Sequence, residues 1–517
     1  MRFTARYAAP VLASLALLVA AGPAGATPTP TPGAAGIGDP LNPTLGNGGY
    51  DVLHYDLDLR YATSDPAQPL DGDVTIVARA TQSLSSFDLD FGGDAVGAVW
   101  VNGRATSFAR EGEELVITPR RPLARGRRFV VRVEHFTAHP TEPNFQDFST
   151  TAFFITPDGS ATAPQPYYAH LVYPCNDHPR DKASFTFRFD VPAGRDAVAN
   201  GVEVVHKTRG DRTYWKYDMR QPMATELTQL AVGDWDFSSP IRHNGVLLRD
   251  VTSPSLTASL QPALALEPGQ LDYMEARVGR YPFDIFGSLI VIADLGFALE
   301  TQTISLLDST WFDESQGVWD PTMLHELSHM WFGDSVAPYE WSDLWLNEGH
   351  ASWYEFLYAE EKGFLADDTT NWPDEQGYAT LEELMRAVYA HGDQWRHDDG
   401  PVAKPINGDD LFTFQVYHGG ALVLYALRQK IGNAAFDHLE RAWVHRYENS
   451  VASTDDFIDL AASVSHRHGV KDFLRDWLYG EKTPPMPGHP DWKTDPVVEA
   501  APASALTARS SPARRLP

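Results

Sequence analysis

Met323-Leu324-His325-Glu326-Leu327-Ser328-His329-Met330-Trp331-Phe332-Gly333-Asp334, followed by Leu346-Asn347-Glu348-Gly349, is the stretch from which fold and chemistry are read. His325 and His329 are four apart, so on a helix they stand on one face, about one turn from each other. Both imidazoles then reach one Zn²⁺ from the same side. Glu326 stands between them and reaches toward a metal-bound water rather than the metal. A third ligand must come from elsewhere, and Glu348, after 18 intervening residues, is placed to supply it. Two histidines and one glutamate make an open site whose fourth position is left to water, the donor set of a catalytic zinc. Met323, Leu324, Leu327, Met330 and Trp331 make the same helix apolar enough to be buried. Imidazole and carboxylate groups inside such a helix need a partner or a metal. The bland alternative is a helix carrying two surface histidines and an acid.

The 517 residues suffice for two or three domains with a large core. The lone cysteine, Cys175, excludes an intrachain disulfide. A formal charge of −28 argues against nucleic acid or an anionic membrane as partner. Arg2 and Arg6, the apolar run Ala8–Ala21 and the small residues Ala24-Gly25-Ala26 read as a secretory signal. Residues 1–26 are therefore expected to be removed, leaving an exported chain that begins at Thr27. No later stretch approaches the ~18 apolar residues of a membrane span.

Residues 27–44, rich in Pro, Gly and Thr, read as a disordered or extended linker. From Tyr50 the pattern has period two: Tyr55, Leu57, Leu59 and Tyr61 alternate with Asp56, Asp58 and Arg60. Phe87–Phe91, Phe129–Val133 and Phe185–Phe189 repeat it, which predicts a half-buried antiparallel β domain over residues 45–240. Beyond Pro254 the period turns helical. Helices are predicted over Pro268–Val278, around the zinc motif, and over Leu344–Lys362, Thr380–His391, Leu411–Gln429, Ala434–Tyr447, Thr454–Val464 and Phe473–Tyr479. Ser288–Ala293 reads as a buried strand, and Ser453 with Asp456 as a capping box. The predicted fold class is α+β and multidomain, with a mainly helical second domain over 241–485 and an extension over 486–517.

Four motifs in order resemble the aminopeptidase N family of zinc exopeptidases, which includes leukotriene hydrolase. Two are the zinc motif and Trp341–Gly349 (W-S-D-L-W-L-N-E-G), whose separation matches the family. The third, Phe297-Ala298-Leu299-Glu300-Thr301, is similar to the family's G-A-M-E-N, and the fourth, Val416-Tyr417-His418-Gly419, to Y-E-K-G. The resemblance implies a saddle-like β domain ahead of a thermolysin-like catalytic domain. It also implies one Zn²⁺ on His325, His329 and Glu348, with Glu326 as general base. Tyr417 is implied as oxyanion donor, and Glu300 as the carboxylate that holds a substrate's free α-amine beside Ala298. Tyr173-Pro174-Cys175-Asn176-Asp177-His178-Pro179 resembles the family's F-P-C-x-D-x-P turn. Gln165, nine residues before Pro174, stands where the family carries a Gln or Glu sharing that amine. Cys175 then reads as a buried structural thiol.

Three positions depart from the family pattern. A bulky Phe297 replaces a glycine and is expected to reshape the cleft. Thr301 replaces an asparagine, and Gly419 a lysine. Glu355, seven residues after Glu348, is a candidate to orient a metal ligand. After the tyrosine motif the chain runs only about 65 residues before a proline-rich tail, so the helical C-terminal domain of larger members is expected to be missing. The cleft is then expected to be more open and the protein monomeric. The rivals are a thermolysin-like endopeptidase, a hydrolase of another bond as in the leukotriene branch, and a non-catalytic binding protein on the same fold.

Overall fold

The computed structural model describes residues 29–498, except 145–146, 368–372 and 375. The predicted signal segment and the end of the predicted tail lie outside the described residues. Eleven strands make one sheet in the order Thr31–Pro32, Leu84–Asp90, Glu114–Thr118, Arg104–Glu111, Ala98–Val101, Arg128–Ala138, Leu70–Ala80, Tyr50–Tyr61, Ala183–Pro192, Arg212–Met223 and Val202–Arg209. The period-two pattern is the burial pattern. Tyr55, Leu57 and Leu59 are fully buried, while Asp58 between the leucines is exposed. Phe185 stacks on Tyr55 at 4.8 Å and on Phe187 at 5.5 Å, giving the inner face an aromatic seam. One central pairing departs from the antiparallel reading. Tyr50–Tyr61 runs parallel to Ala183–Pro192, with Tyr55 opposite Phe185. Parallel neighbours need a long crossover, and residues 62–182 provide it.

The second half of the chain carries nine helices among the described residues: α1 (Thr257–Leu264), α2 (Glu267–Val278), α3 (Gln316–His329), α4 (Trp345–Lys362), α5 (Leu381–Asp398), α6 (Phe414–Ile431), α7 (Asn433–Arg446), α8 (Thr454–Ser465) and α9 (Val470–Tyr479). The Ser453–Asp456 capping box forms as expected and starts α8. α3 begins well before Met323 and contains Pro321, a residue that in sequence argues against a helix interior. A four-stranded sheet runs Asp236–Phe237, Val251–Thr252, Ser288–Val291, Ser305–Asp308. Met486 and Trp492, beyond the last helix, are buried, and Trp492 packs on Tyr389 and Tyr425.

The connection from α3 to α4 is gripped by the β domain. Lys182 Nζ donates to the carbonyls of Asp334 at 2.5 Å and Ser335 at 2.9 Å. Arg180 Nε donates to Tyr339 O at 2.8 Å, and its guanidinium lies 3.8 Å from the centre of the Tyr339 ring. The stretch read as a linker adds a third tie: Thr31–Pro32 in it joins the large sheet, and Asp39 in it is buried. Asp39 Oδ2 accepts the Trp341 N–H at 2.8 Å and pairs with His178 Nε2 at 3.0 Å.

α4 and α6 cross backbone to backbone. A methyl added at Gly349 would stand 2.9 Å from Gly420 Cα, and one added at Gly420 would stand 2.8 Å from Gly349 Cα. Neither backbone yields without separating the helices. Gly420→Ala is expected to cost about 1–3 kcal/mol as overpacking. It should appear as a lower thermal midpoint of the metal-loaded protein; an unchanged midpoint would show slack at the crossing.

Candidate zinc site

α3 brings His325 and His329 to one face, and the first turn of α4 brings Glu348 against them. One donor atom from each of the three lies within 4.8 Å of the others, and all three residues are buried. His325 Nε2 is 3.4 Å and His329 Nε2 3.3 Å from Glu348 Oε2. The remaining ring nitrogens are already engaged. His325 Nδ1 donates to Glu355 Oε2 at 2.9 Å, and His329 Nδ1 to the Phe332 carbonyl at 3.1 Å. Because a carboxylate and a carbonyl only accept, each ring carries its proton on Nδ1 and turns the Nε2 lone pair to the common point.

The residues fit a metal. His325 Nε2, Glu348 Oε2 and Glu326 Oε2 are buried without a hydrogen-bond partner. Such groups are costly unless something else meets them, and a dication facing two imidazoles and a carboxylate does so. Two nitrogens and one oxygen are the donor set Zn²⁺ takes with a position left open. Without the metal, burial acts to lower the His325 pKa, but Glu348 and Glu355 outweigh it and lift it to about 9. Burial acts upward on Glu348, and the two imidazoles reverse this, taking it down to about 2. Glu326 is pushed up to about 8, by burial first and by Glu300 and Glu348 further. A dication at the donors pulls that carboxyl back toward its ionised form.

Tyr417 lies in the first turns of α6, with its ring stacked on His325 at 5.9 Å between centroids. Burial, then the charges of Glu348, Glu300 and Glu326, hold its phenol proton firmly, so the hydroxyl remains a donor. Glu300 is buried, with Oε1 4.0 Å from His329 Nδ1. Gln165 Nε2, from the β domain, donates to the same Oε1 at 2.6 Å. Glu300 is held along the sheet edge, because Leu299 and Leu306 exchange backbone hydrogen bonds at 2.9 and 2.8 Å. The turn that follows is tied to the β domain. Asn200 Nδ2 donates to Gln302 O at 2.7 Å, and Gly201 N to Thr303 Oγ1 at 2.8 Å. Ala298 is buried just before this bridge.

The structure thus brings His325, Glu326, His329, Glu348, Tyr417, Glu300 and Gln165 to one region. Glu355 supports His325 as anticipated from its spacing. Phe297 is half-buried and packs against the apolar cluster that contains Leu295, Leu299, Ile304 and Leu306. At Gly419 a Cβ would stand 2.7 Å from Gln415 Oε1, so a side chain there would have to displace the Gln415 amide. Burial pushes the Cys175 thiol well up, which leaves it inert. The Phe332 carbonyl, Lys182 and the Gly349–Gly420 crossing were not found from sequence. A backbone acceptor has no side-chain signature, and the other two act through partners distant in the chain.

Two family descriptions match the chain: "Peptidase M1 N-terminal domain" over residues 52–227 and "Peptidase family M1 domain" over 295–477. Aminopeptidase M1-B of Oryza sativa subsp. japonica is 27% identical over 325 residues, 60% of this chain and 35% of that protein. Aminopeptidase N of Streptomyces lividans is 28% identical over 330 residues, 60% of this chain and 36% of that protein. The match thus spans about a third of the length of these relatives. The crystal structure of an M1 zinc metallopeptidase from Deinococcus radiodurans is similar at a TM-score of 0.75 with 28% identity, covering 87% of this chain and 99% of that one. A glutamate-to-alanine mutant of the Deinococcus radiodurans protein, bound to a Tyr-Ser-Ala substrate, is similar at a TM-score of 0.74 with 28% identity, covering 88% of this chain and 100% of that one.

Two outcomes test the metal site. Glu355→Ala frees His325 Nδ1 and should weaken zinc binding about 10–100-fold in competition with a chelator. Because His325 holds its proton up to about 9 in the metal-free protein, the metal must displace that proton. Zinc affinity should therefore rise as pH increases from neutral to about 9; a flat profile would contradict the protonated donor set.

Proposed function

The chain belongs to peptidase family M1, and from that premise we propose that it is a zinc-dependent aminopeptidase that releases N-terminal residues from peptides. The observation that carries the reading is the Gln165–Glu300 pair, with Glu300 Oε1 4.0 Å from His329 Nδ1. A buried carboxylate beside the metal donors gives a free α-ammonium a charge-assisted partner. An amine held there leaves only the first peptide bond within reach of the donor set. An endopeptidase has no use for this arrangement, and the pair argues against that rival.

Zn²⁺ bound at His325, His329 and Glu348 supplies an acidified water and polarises the scissile carbonyl. Glu326 takes the proton of the attacking water and returns it to the leaving amine. Its unpartnered Oε2 is free for that exchange. The Tyr417 hydroxyl donates to the oxygen on which negative charge develops, and does so uncharged. Glu300 and Gln165 hold the amino terminus, and the buried setting strengthens each of these contacts.

We further propose that the protein is exported and acts as a monomer. Arg2, Arg6, the apolar run after them and Ala24–Ala26 support export. No helix among the described residues is long and apolar enough to cross a membrane. Recovery from the culture medium of a chain starting at Thr27, eluting at monomer size, is the expected result.

Glu326→Gln should retain zinc and lose about 10²–10⁴-fold in turnover of aminoacyl anilides. Peptides with a free amino terminus should be cut and their N-acetylated counterparts spared. Equal cleavage of both would overturn the exopeptidase reading and leave the metal site standing.

A further inference from the structure

A cleft of about 620 Å³ opens between the end of α2, the Trp331–Ser335 stretch and α7. His438, Arg441 and His445 are three and four residues apart, so α7 presents them from one side. Arg280 lines the cleft from the loop after α2. The chain has 69 acidic residues against 41 Lys and Arg. Even so, Arg280, His438, Arg441 and His445 form no ion pair among the described residues, whereas many other cationic side chains do. Glu448 is the one carboxylate lining the cleft.

Three details make this more than a charged patch. Arg441 Nη2 donates to Ala276 O at 3.0 Å, which orients the guanidinium and leaves its other N–H groups available. The carbonyls of Gly279 and Arg280, which would repel an anion, are taken by Trp331 Nε1 at 3.2 and 3.1 Å. Ser335 is buried at 2% exposure and lines the cleft; its Oγ accepts the Asn449 N–H at 3.2 Å, and its own hydroxyl proton is given to no acceptor among the described residues. The cleft therefore presents donors: an oriented guanidinium, a second arginine, a buried hydroxyl and two imidazoles. Val278, Pro282 and Val444 supply apolar wall for the body of a ligand.

We propose that this cleft binds a small oxyanion, a phosphate or a carboxylate, held by Arg441, Arg280 and the Ser335 hydroxyl with His438 and His445 beside them. Charge-assisted hydrogen bonds of this kind are the strong ones, and arginine's planar fork suits both anions. The inference does not rest on the peptidase reading. It has a consequence for the metal, because Trp331 and Ser335 flank Phe332, whose carbonyl holds His329.

Calorimetric titration of the zinc-loaded protein at constant ionic strength tests the proposal, with inorganic phosphate in one arm and N-acetylglutamate in the other. N-Acetylglutamate lacks the free amine the catalytic cleft would take. Saturable binding is expected in at least one arm, and which arm binds more tightly identifies the source of the anion. Arg280→Ala and Arg441→Ala should each weaken binding about tenfold or more. Among the described residues the Arg280 side chain makes no hydrogen bond, so Arg280→Ala should keep zinc content, thermal midpoint and basal hydrolysis, which separates lost binding from misfolding. No binding in either arm would overturn the proposal. So would binding that the two arginine variants leave unchanged, since the anion would then sit elsewhere, at the zinc included.

Discussion

The Phe332 carbonyl and the Glu355 carboxylate accept the Nδ1 protons of His329 and His325, and the direction of both rings follows from those two bonds. A free imidazole turns about its χ angles; a ring bonded at Nδ1 keeps its Nε2 aimed one way. The first acceptor lies three residues beyond its ring in the same segment. The second is on α4, the helix that also brings Glu348. α3 and α4 therefore have to keep their relative position to within a hydrogen bond's tolerance. The Gly349–Gly420 contact then brings α6 onto α4 at the residue after Glu348, and Tyr417 is three residues away on that helix. Ligands, oxyanion donor and ring supports come from three helices whose spacing is set by backbone contact rather than by adaptable side chains.

The weak point of this arrangement is the connection from Met330 to Leu344, which joins the ligand helices and contains little regular structure. The β domain holds it. Lys182 approaches with an ammonium whose pKa burial lowers to about 8, with Asp334 opposing that shift. It meets two loop carbonyls five and six residues beyond the end of α3. Arg180 and the Asp39–His178 pair fasten the later part of the same connection. Hydrogen bonds to charged groups contribute about 1.5–3 kcal/mol each. These ties make the β domain a support of the metal site as well as a source of Gln165.

Much of this was legible because the relevant signals are local. Two histidines four apart on an apolar helix, and strands with period-two burial, need only neighbours in sequence to be seen. Glu355 was reachable because seven residues bring a helix back to the same face. Other features were illegible for definite reasons. Pro321 hid the first turns of α3, since a proline ordinarily argues against a helix interior. The Pro/Gly/Thr composition of residues 27–44 describes a chain without a core of its own. It says nothing of Asp39, which is ordered by Trp341 some three hundred residues later. The parallel pairing of Tyr50–Tyr61 with Ala183–Pro192 leaves the same alternation as an antiparallel one, so periodicity cannot distinguish them.

The departures at Phe297, Thr301 and Gly419 bear on specificity, and the structure limits what they can change. Thr301 gives its hydroxyl proton to the Ile304 carbonyl, closing the turn after Glu300 from within. The backbone that follows is held from the β domain by Asn200 and Gly201, independently of which side chain occupies position 301. Phe297, half-buried, rests against the apolar cluster that contains Leu299 and Leu306. At Gly419 the space is filled by Gln415, which donates to Gly400 O at 3.2 Å and so fastens a neighbouring loop to α6. The Gln165–Glu300 contact is made with all three substitutions in place. The amine anchor and the metal donors are therefore held by one framework. Preference for a substrate's first side chain has to arise from the walls around Glu300, not from a displaced anchor.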